Sequence, residues 1–166
     1  MRHIVHLASF ALALMLAGHR LPAQHAHTGA DTATHDSTFA AMQERGRMVM
    51  GVDQYTSSHR FDDLPDGGRI TLLRAVDDTV GAARIRSHLR AIASAFAAGD
   101  FSSPMIVHAK DVPGTRVMSA KRAVIRYSVR ALERGGELTI RTRDPDAIRA
   151  VHEFLAFQRA EHHAMP

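Results

Sequence analysis

The segment FDDLPDGGRITL, Phe61 to Leu72, puts turn residues between two stretches of alternating side chains. Proline presets its own φ, and the two glycines accept positive φ, so Pro65-Asp66-Gly67-Gly68 predicts the turn of a β-hairpin. A four-residue turn would pair Leu64 with Arg69 and Phe61 with Leu72. Ile70 and Leu72 then share an inner face, while Arg69, Thr71 and Leu73 face away. His59 falls on the face of Phe61, because strand side chains repeat every two residues.

A second segment repeats the pattern. GGRITL at Gly67 to Leu72 recurs as GGELTI at Gly135 to Ile140. Around it Ile125, Tyr127, Val129 and Ala131 alternate with Arg126, Ser128 and Arg130. Beyond Arg134-Gly135-Gly136, Leu138, Ile140 and Thr142 alternate with Thr139, Arg141 and Arg143. Each hairpin is followed by a helical stripe carrying a mid-helix histidine, His88 or His152. Asp77-Asp78-Thr79 offers N-cap residues, Ile85, Leu89, Ile92 and Phe96 recur at helical spacing, and Gly99 supplies a stop. Asp144-Pro145 starts the other helix, whose inward edge is Ile148, Val151, Leu155 and Gln158, widened by Phe154. The expected fold class is α+β, an antiparallel sheet of two β-hairpins with both helices on one face. It reads as a ββα duplication, or as a chance recurrence of Gly-Gly turns.

The rest of the chain is less regular. Residues 1–23 have the lay-out of a signal peptide: a basic Met1-Arg2-His3, an apolar run from Ile4 to Ala17, and a cleavage site ending at Ala23. Cleavage after Ala26 is the second choice, and an uncleaved N-terminal anchor is the alternative. Residues 24–37 are small and polar and predict a flexible leader. Residues 38–166 form a single domain, starting with a short helix over Thr38 to Met50 weakened by Gly46. FSSPMIVHAKDVPG is expected as a loop with a short strand at Met105 to His108.

Composition narrows the function classes. The formal net charge of +4 falls to +2 once Arg2 and Arg20 leave with the signal peptide. That small surplus argues against a nucleic-acid partner. No stable membrane insertion is expected after signal removal. The chain has no cysteine, which excludes disulfides, thiol nucleophiles and thiolate metal sites.

Four stretches, MGVDQY at Met50, FDDLPDGGRITL at Phe61, GDFSSP at Gly99 and VHEFLAFQ with EHH at the C-terminus, resemble an uncharacterised family of exported bacterial proteins. The resemblance covers most of the chain after the leader. It implies a periplasmic or secreted setting and transfers no catalytic residue.

Histidine is the chemistry-bearing residue in excess. Of the 12, His3, His6 and His19 leave with the signal peptide. Neutral imidazole is a common ligand of copper and zinc. No His-x-x-x-His or His-Glu-x-x-His pair is present, so a metal site must be assembled across elements. The expected set is His59, His88 and His152, with His108 as the replacement. The alternative is that these are half-buried histidines bonded to backbone or carboxylate. His162 and His163 are assigned to the helix end, because they lie some 15 Å along the axis from His152. A further copper(II) site is open to the mature N-terminus, where Gln24-His25 or His27 pairs an amine with an imidazole. Met42, Met48, Met50, Met105 and Met118 are scattered and read as core fillers.

The expected function is an exported, non-enzymatic binding or accessory protein that takes copper or zinc through histidine. The alternative is an interaction module whose outward row, Arg126, Arg130, Arg141 and Arg143, receives an anionic ligand or a protein partner. Such a row also serves simply as a solvated strand face. A small hydrolase is third. There is no Gly-x-Ser-x-Gly elbow, and Asp62, Asp63 and Asp66 read as turn formers.

Overall fold

The structure, a computed structural model, describes residues 28–51 and 56–162, with backbone alone for 28–36. The N-terminal segment assigned to a signal peptide lies outside the described residues. So do Gln24, His25, His27 and His163.

The first hairpin joins β1 (Ser57–Leu64) to β2 (Gly67–Arg74), and the second joins β3 (Arg126–Leu132) to β4 (Gly135–Arg141). They form one antiparallel four-stranded sheet in the order β1-β2-β4-β3. The fold class is α+β, as the two alternating segments predict.

The turn is tighter than expected. Leu64 pairs with Gly67 and Phe61 with Ile70, so only Pro65 and Asp66 turn the chain. The glycines belong to the strand, and the reason is steric. A Cβ on Gly67, whose φ is 139°, would lie 2.1 Å from the Ile140 carbonyl oxygen. One on Gly68 would lie 2.2 Å from Leu155 Cδ1. The Gly-Gly pair therefore lets a neighbouring strand and a helix approach closely. Because the register differs by two residues, the side-chain phase is unchanged.

The second hairpin repeats this geometry, with Leu132 opposite Gly135 and Val129 opposite Leu138. Where the hairpins meet, Ile70 pairs with Leu138, flanked by Gly68 opposite Ile140 and Leu72 opposite Gly136. This reciprocal register is that of two similar halves facing each other across β2 and β4.

Two long helices cover one face. In α2 (Thr79–Ala98) the Asp78 carboxylate accepts the Gly81 N–H at 2.9 Å, and Gly99 ends the helix at φ 85°. In α5 (Pro145–Glu161) the Asp144 carboxylate accepts the N–H groups of Asp146 and Ala147, each at 3.0 Å. Helix α2 lies over β3 and β4, whereas α5 lies over β1 and β2, so each covers the hairpin of the other half. Their stripes close the core on Phe61, Ile70, Leu72, Ile125, Leu138 and Ile140. Tyr127, Val129 and Ile92 pack at its margin, and Ile148 is only half-buried.

Three further helices differ from expectation. The segment expected as a strand at Met105 to His108 is α3 (Ser102–His108), followed by α4 (Thr115–Ala120) and a 3-10 turn at Arg122–Val124. Asp100 accepts the Ser102 N–H at 2.8 Å and so starts a helix. Pro104 lies in the first turn, where its missing N–H costs nothing. Helix α1 (Thr28–Met50) begins in the segment expected as leader, not at Thr38. Packing at Met42, Gln43, Gly46 and Met50 anchors it, and each residue added to a formed helix gains a hydrogen bond without a new nucleus. Arg45 ties α1 to α3 through the Val107 carbonyl at 2.8 Å. Among the described residues no helix is long and apolar enough to cross a membrane.

Candidate metal centre: a histidine-lined cavity

Between α2 and α5 the inner sheet face is not fully covered. The gap is roofed by the C-terminal end of α1 and by α3, which leaves a cavity of about 80 Å³ open to the centre of a water-sized sphere. Most of its wall is apolar, with Phe61, Ile70, Leu72, Leu89, Phe96 and Leu138 beneath and Val49, Met50 and Val107 above. Into this wall project His59, His88, His108 and His162, each from a different part of the chain, together with Gln158.

Local structure accounts for each placement. His59 lies opposite Leu72 on β1 and shares the inner phase of Phe61. His88 precedes Leu89 on the inward stripe of α2. His108 is the buried last residue of α3, with Nε2 3.1 Å from Gln158 Oε1 and Nδ1 3.6 Å from Glu161 Oε2. His162 caps α5, its backbone N–H bonded to the Gln158 carbonyl at 3.0 Å. Its ring stacks on His59 at 5.0 Å between centroids and meets His108 edge-on at 5.1 Å.

His152 does not line the cavity. Its Nε2 lies 2.9 Å from the Leu64 carbonyl oxygen and 3.0 Å from that of Gly67, so this nitrogen carries the proton and donates it to the β1–β2 turn. In the other half Arg86 does the same job, with Nε 2.9 Å from the Gly135 oxygen and Nη2 2.6 Å from the Leu132 oxygen. The repeat thus equates His152 with Arg86, and not with His88 as the mid-helix histidines suggested. The two histidines lie at different places along α5, so that His162 is in the cavity and His152 is out. The signal for His162 was present, since it follows the inward-facing Gln158 by four residues, one helical turn on the same face.

The cavity is electrostatically unusual. Burial lowers the pKa of His59 to about 4, with a contribution from the charge of His88, and lowers that of His88 to about 4. Burial also lowers that of His108, against the opposing effects of Gln158 and Glu161. These imidazoles are therefore neutral at pH 7, and each offers a lone pair. His59 Nε2, His108 Nδ1 and Gln158 Nε2 are buried without a hydrogen-bond partner among the described residues. Each such group costs about 1–3 kcal/mol.

The imidazoles are gathered but not converged. Among the described residues no group of three or more histidine or carboxylate side chains is placed so that it could hold a metal ion as it stands. Two imidazoles bound to one tetrahedral ion at 2.0–2.1 Å have ring centroids about 5 Å apart. His59–His162 and His108–His162 already have that separation. The first pair is stacked and the second meets edge-on, so side chains must rotate before three ligands can share an ion.

Two of the four arginines of the outer row are paired with carboxylates. Arg130 pairs with Glu137 at 3.1 Å, Arg141 pairs with Asp66, and Arg126 donates to the Ala123 carbonyl at 2.9 Å. Arg143 is exposed. Asp62 is held by Arg60 and Arg69, and Asp63 by Arg159 at 2.9 Å.

Comparison of the chain with protein-family models, with curated proteins and with solved structures finds no match.

Proposed function

We propose that this chain is an exported, non-enzymatic binding protein that holds a copper or zinc ion in the cavity through His59, His88, His108 and His162. The observation that carries this reading is that four imidazoles, from four separate elements, line one apolar cavity. A cavity needed only for packing has no use for buried ring nitrogens without partners, whereas a bound ion would satisfy them. The low pKa of His59 and His88 spares an incoming metal the need to displace their protons. Export is supported by the basic and apolar start of the chain up to Ala23. The outer arginine face is a weaker seat for an anion, because Glu137 and Asp66 already pair with Arg130 and Arg141.

Elemental analysis of the untagged mature protein, followed by titration of the metal-free form with copper and zinc, tests this directly. One ion per chain is expected, lost on combining His59→Phe with His162→Ala and retained in His152→Ala. Absence of any bound or titratable metal would overturn the proposal.

A further inference from the structure

We infer that the ion this cavity selects is Cu(I), bound by its imidazoles together with the thioether of Met50. The inference rests on the reading of the cavity as a metal site and goes on to the identity of the metal.

The first argument is charge. Among the described residues that line the cavity the polar side chains are histidine, Gln158 and Ser103, with no carboxylate. Glu161 is the carboxylate beside His108, and its Oε1 is already paired with Lys110 at 3.0 Å. An ion entering here must leave water for neutral ligands in an apolar wall. The solvation lost on that transfer scales with the square of the charge, so a dication forfeits about four times what a monocation does. With no anionic ligand among the described residues of the wall to offset it, the cavity discriminates against Zn(II) and Cu(II) and tolerates Cu(I).

The second argument is donor softness. Met50 is the last residue of α1, is 8% exposed, and belongs to both the core and the cavity wall. It lines the same space as the imidazoles. Thioether sulfur with neutral imidazole is a soft-to-borderline donor set, which favours Cu(I) over harder divalent ions. Cu(I) is a closed-shell ion that accepts low, irregular coordination. It does not need all four imidazoles to reorient into a regular shell, which fits rings that are close but stacked.

The test uses the full mature chain, freed of metal and handled without oxygen. Cu(I) is titrated against bathocuproine disulfonate, and Zn(II) against a chromophoric zinc chelator. One equivalent of Cu(I) is expected to bind at least about 100-fold more tightly than Zn(II). Copper-edge X-ray absorption of the loaded wild-type protein should show nitrogen neighbours and one sulfur at about 2.3 Å, a typical metal–sulfur length. Met50→Leu, close in volume and apolar, should remove that sulfur and weaken Cu(I) by about tenfold while leaving Zn(II) affinity unchanged. Equal or tighter Zn(II) binding, or a copper spectrum without sulfur in the wild type, overturns the Cu(I) assignment while the metal-binding cavity stands. Binding of neither ion overturns the metal reading itself and this inference with it.

Discussion

Lowering the pH from 7 to 4.5 should destabilise the metal-free protein through His59 and His88. Both rings titrate near 6.5 in the unfolded chain and near 4 in the folded one. Between those values the unfolded chain binds more protons than the folded chain, so stability rises with pH across that window. The stabilisation relative to acid is complete above about pH 6.5 and is lost as the pH falls toward 4. For one such group the integral from pH 7 to pH 4.5 is about 2.4 kcal/mol. The two rings are half-buried and His88 lies within electrostatic reach of His59, so water entering the cavity screens both. About half of the two-group sum, roughly 2.5 kcal/mol, is the expected loss. The assay is urea unfolding followed by far-UV circular dichroism, with chelator present at every pH because bound metal would mask the effect. The capping carboxylates interfere little in this range. Asp144 is held below the usual carboxylate range by Lys121, and Asp78 by the Gly81 N–H, so their contributions fade only below about pH 4. Replacing both rings, His59→Phe with His88→Phe, should cut the loss by about half or more, with His108, whose pKa burial also lowers, supplying the remainder; phenylalanine already occupies the position related to His88 in the other half, Phe154. A wild-type stability constant to within about 0.5 kcal/mol over this range, or an undiminished loss in the double variant, would refute the reasoning.

Two further expectations concern the scaffold. His152→Ala removes the donor shared by the Leu64 and Gly67 carbonyls and should cost about 1–2 kcal/mol in urea unfolding. His152→Arg should restore most of that, because Arg86 bridges the matching carbonyls in the other half; an arginine variant no better than alanine would break the proposed equivalence. Gly114→Ala combines a φ of 78° with a Cβ 2.1 Å from the Ala150 carbonyl oxygen on α5. It should cost about 2–4 kcal/mol, and an unchanged unfolding midpoint would contradict that packing.

What the sequence determined by itself is whatever a short window encodes. Alternation at Ile70 and Leu72, and again at Leu138 and Ile140, specified strands and their buried face. The stripes from Ile85 to Phe96 and from Val151 to Leu155 specified two amphipathic helices, and Asp78, Gly99 and Asp144 marked their ends. Turn length was not legible, because Gly-Gly serves equally as a turn or as a place of close approach. Only the neighbouring Ile140 carbonyl and the Leu155 side chain show which it is. The apolar run of α3 was too short to distinguish strand from helix by period. The membership of the histidine cavity was also tertiary. Each helix crosses to the hairpin of the other half, and α5 runs along β1 from the Leu64 turn, where His152 is held, toward His59, where His162 arrives. Periodicity says which way a side chain points from its own element. Which side chains then meet depends on strand order and helix placement, set by packing between residues far apart in the chain.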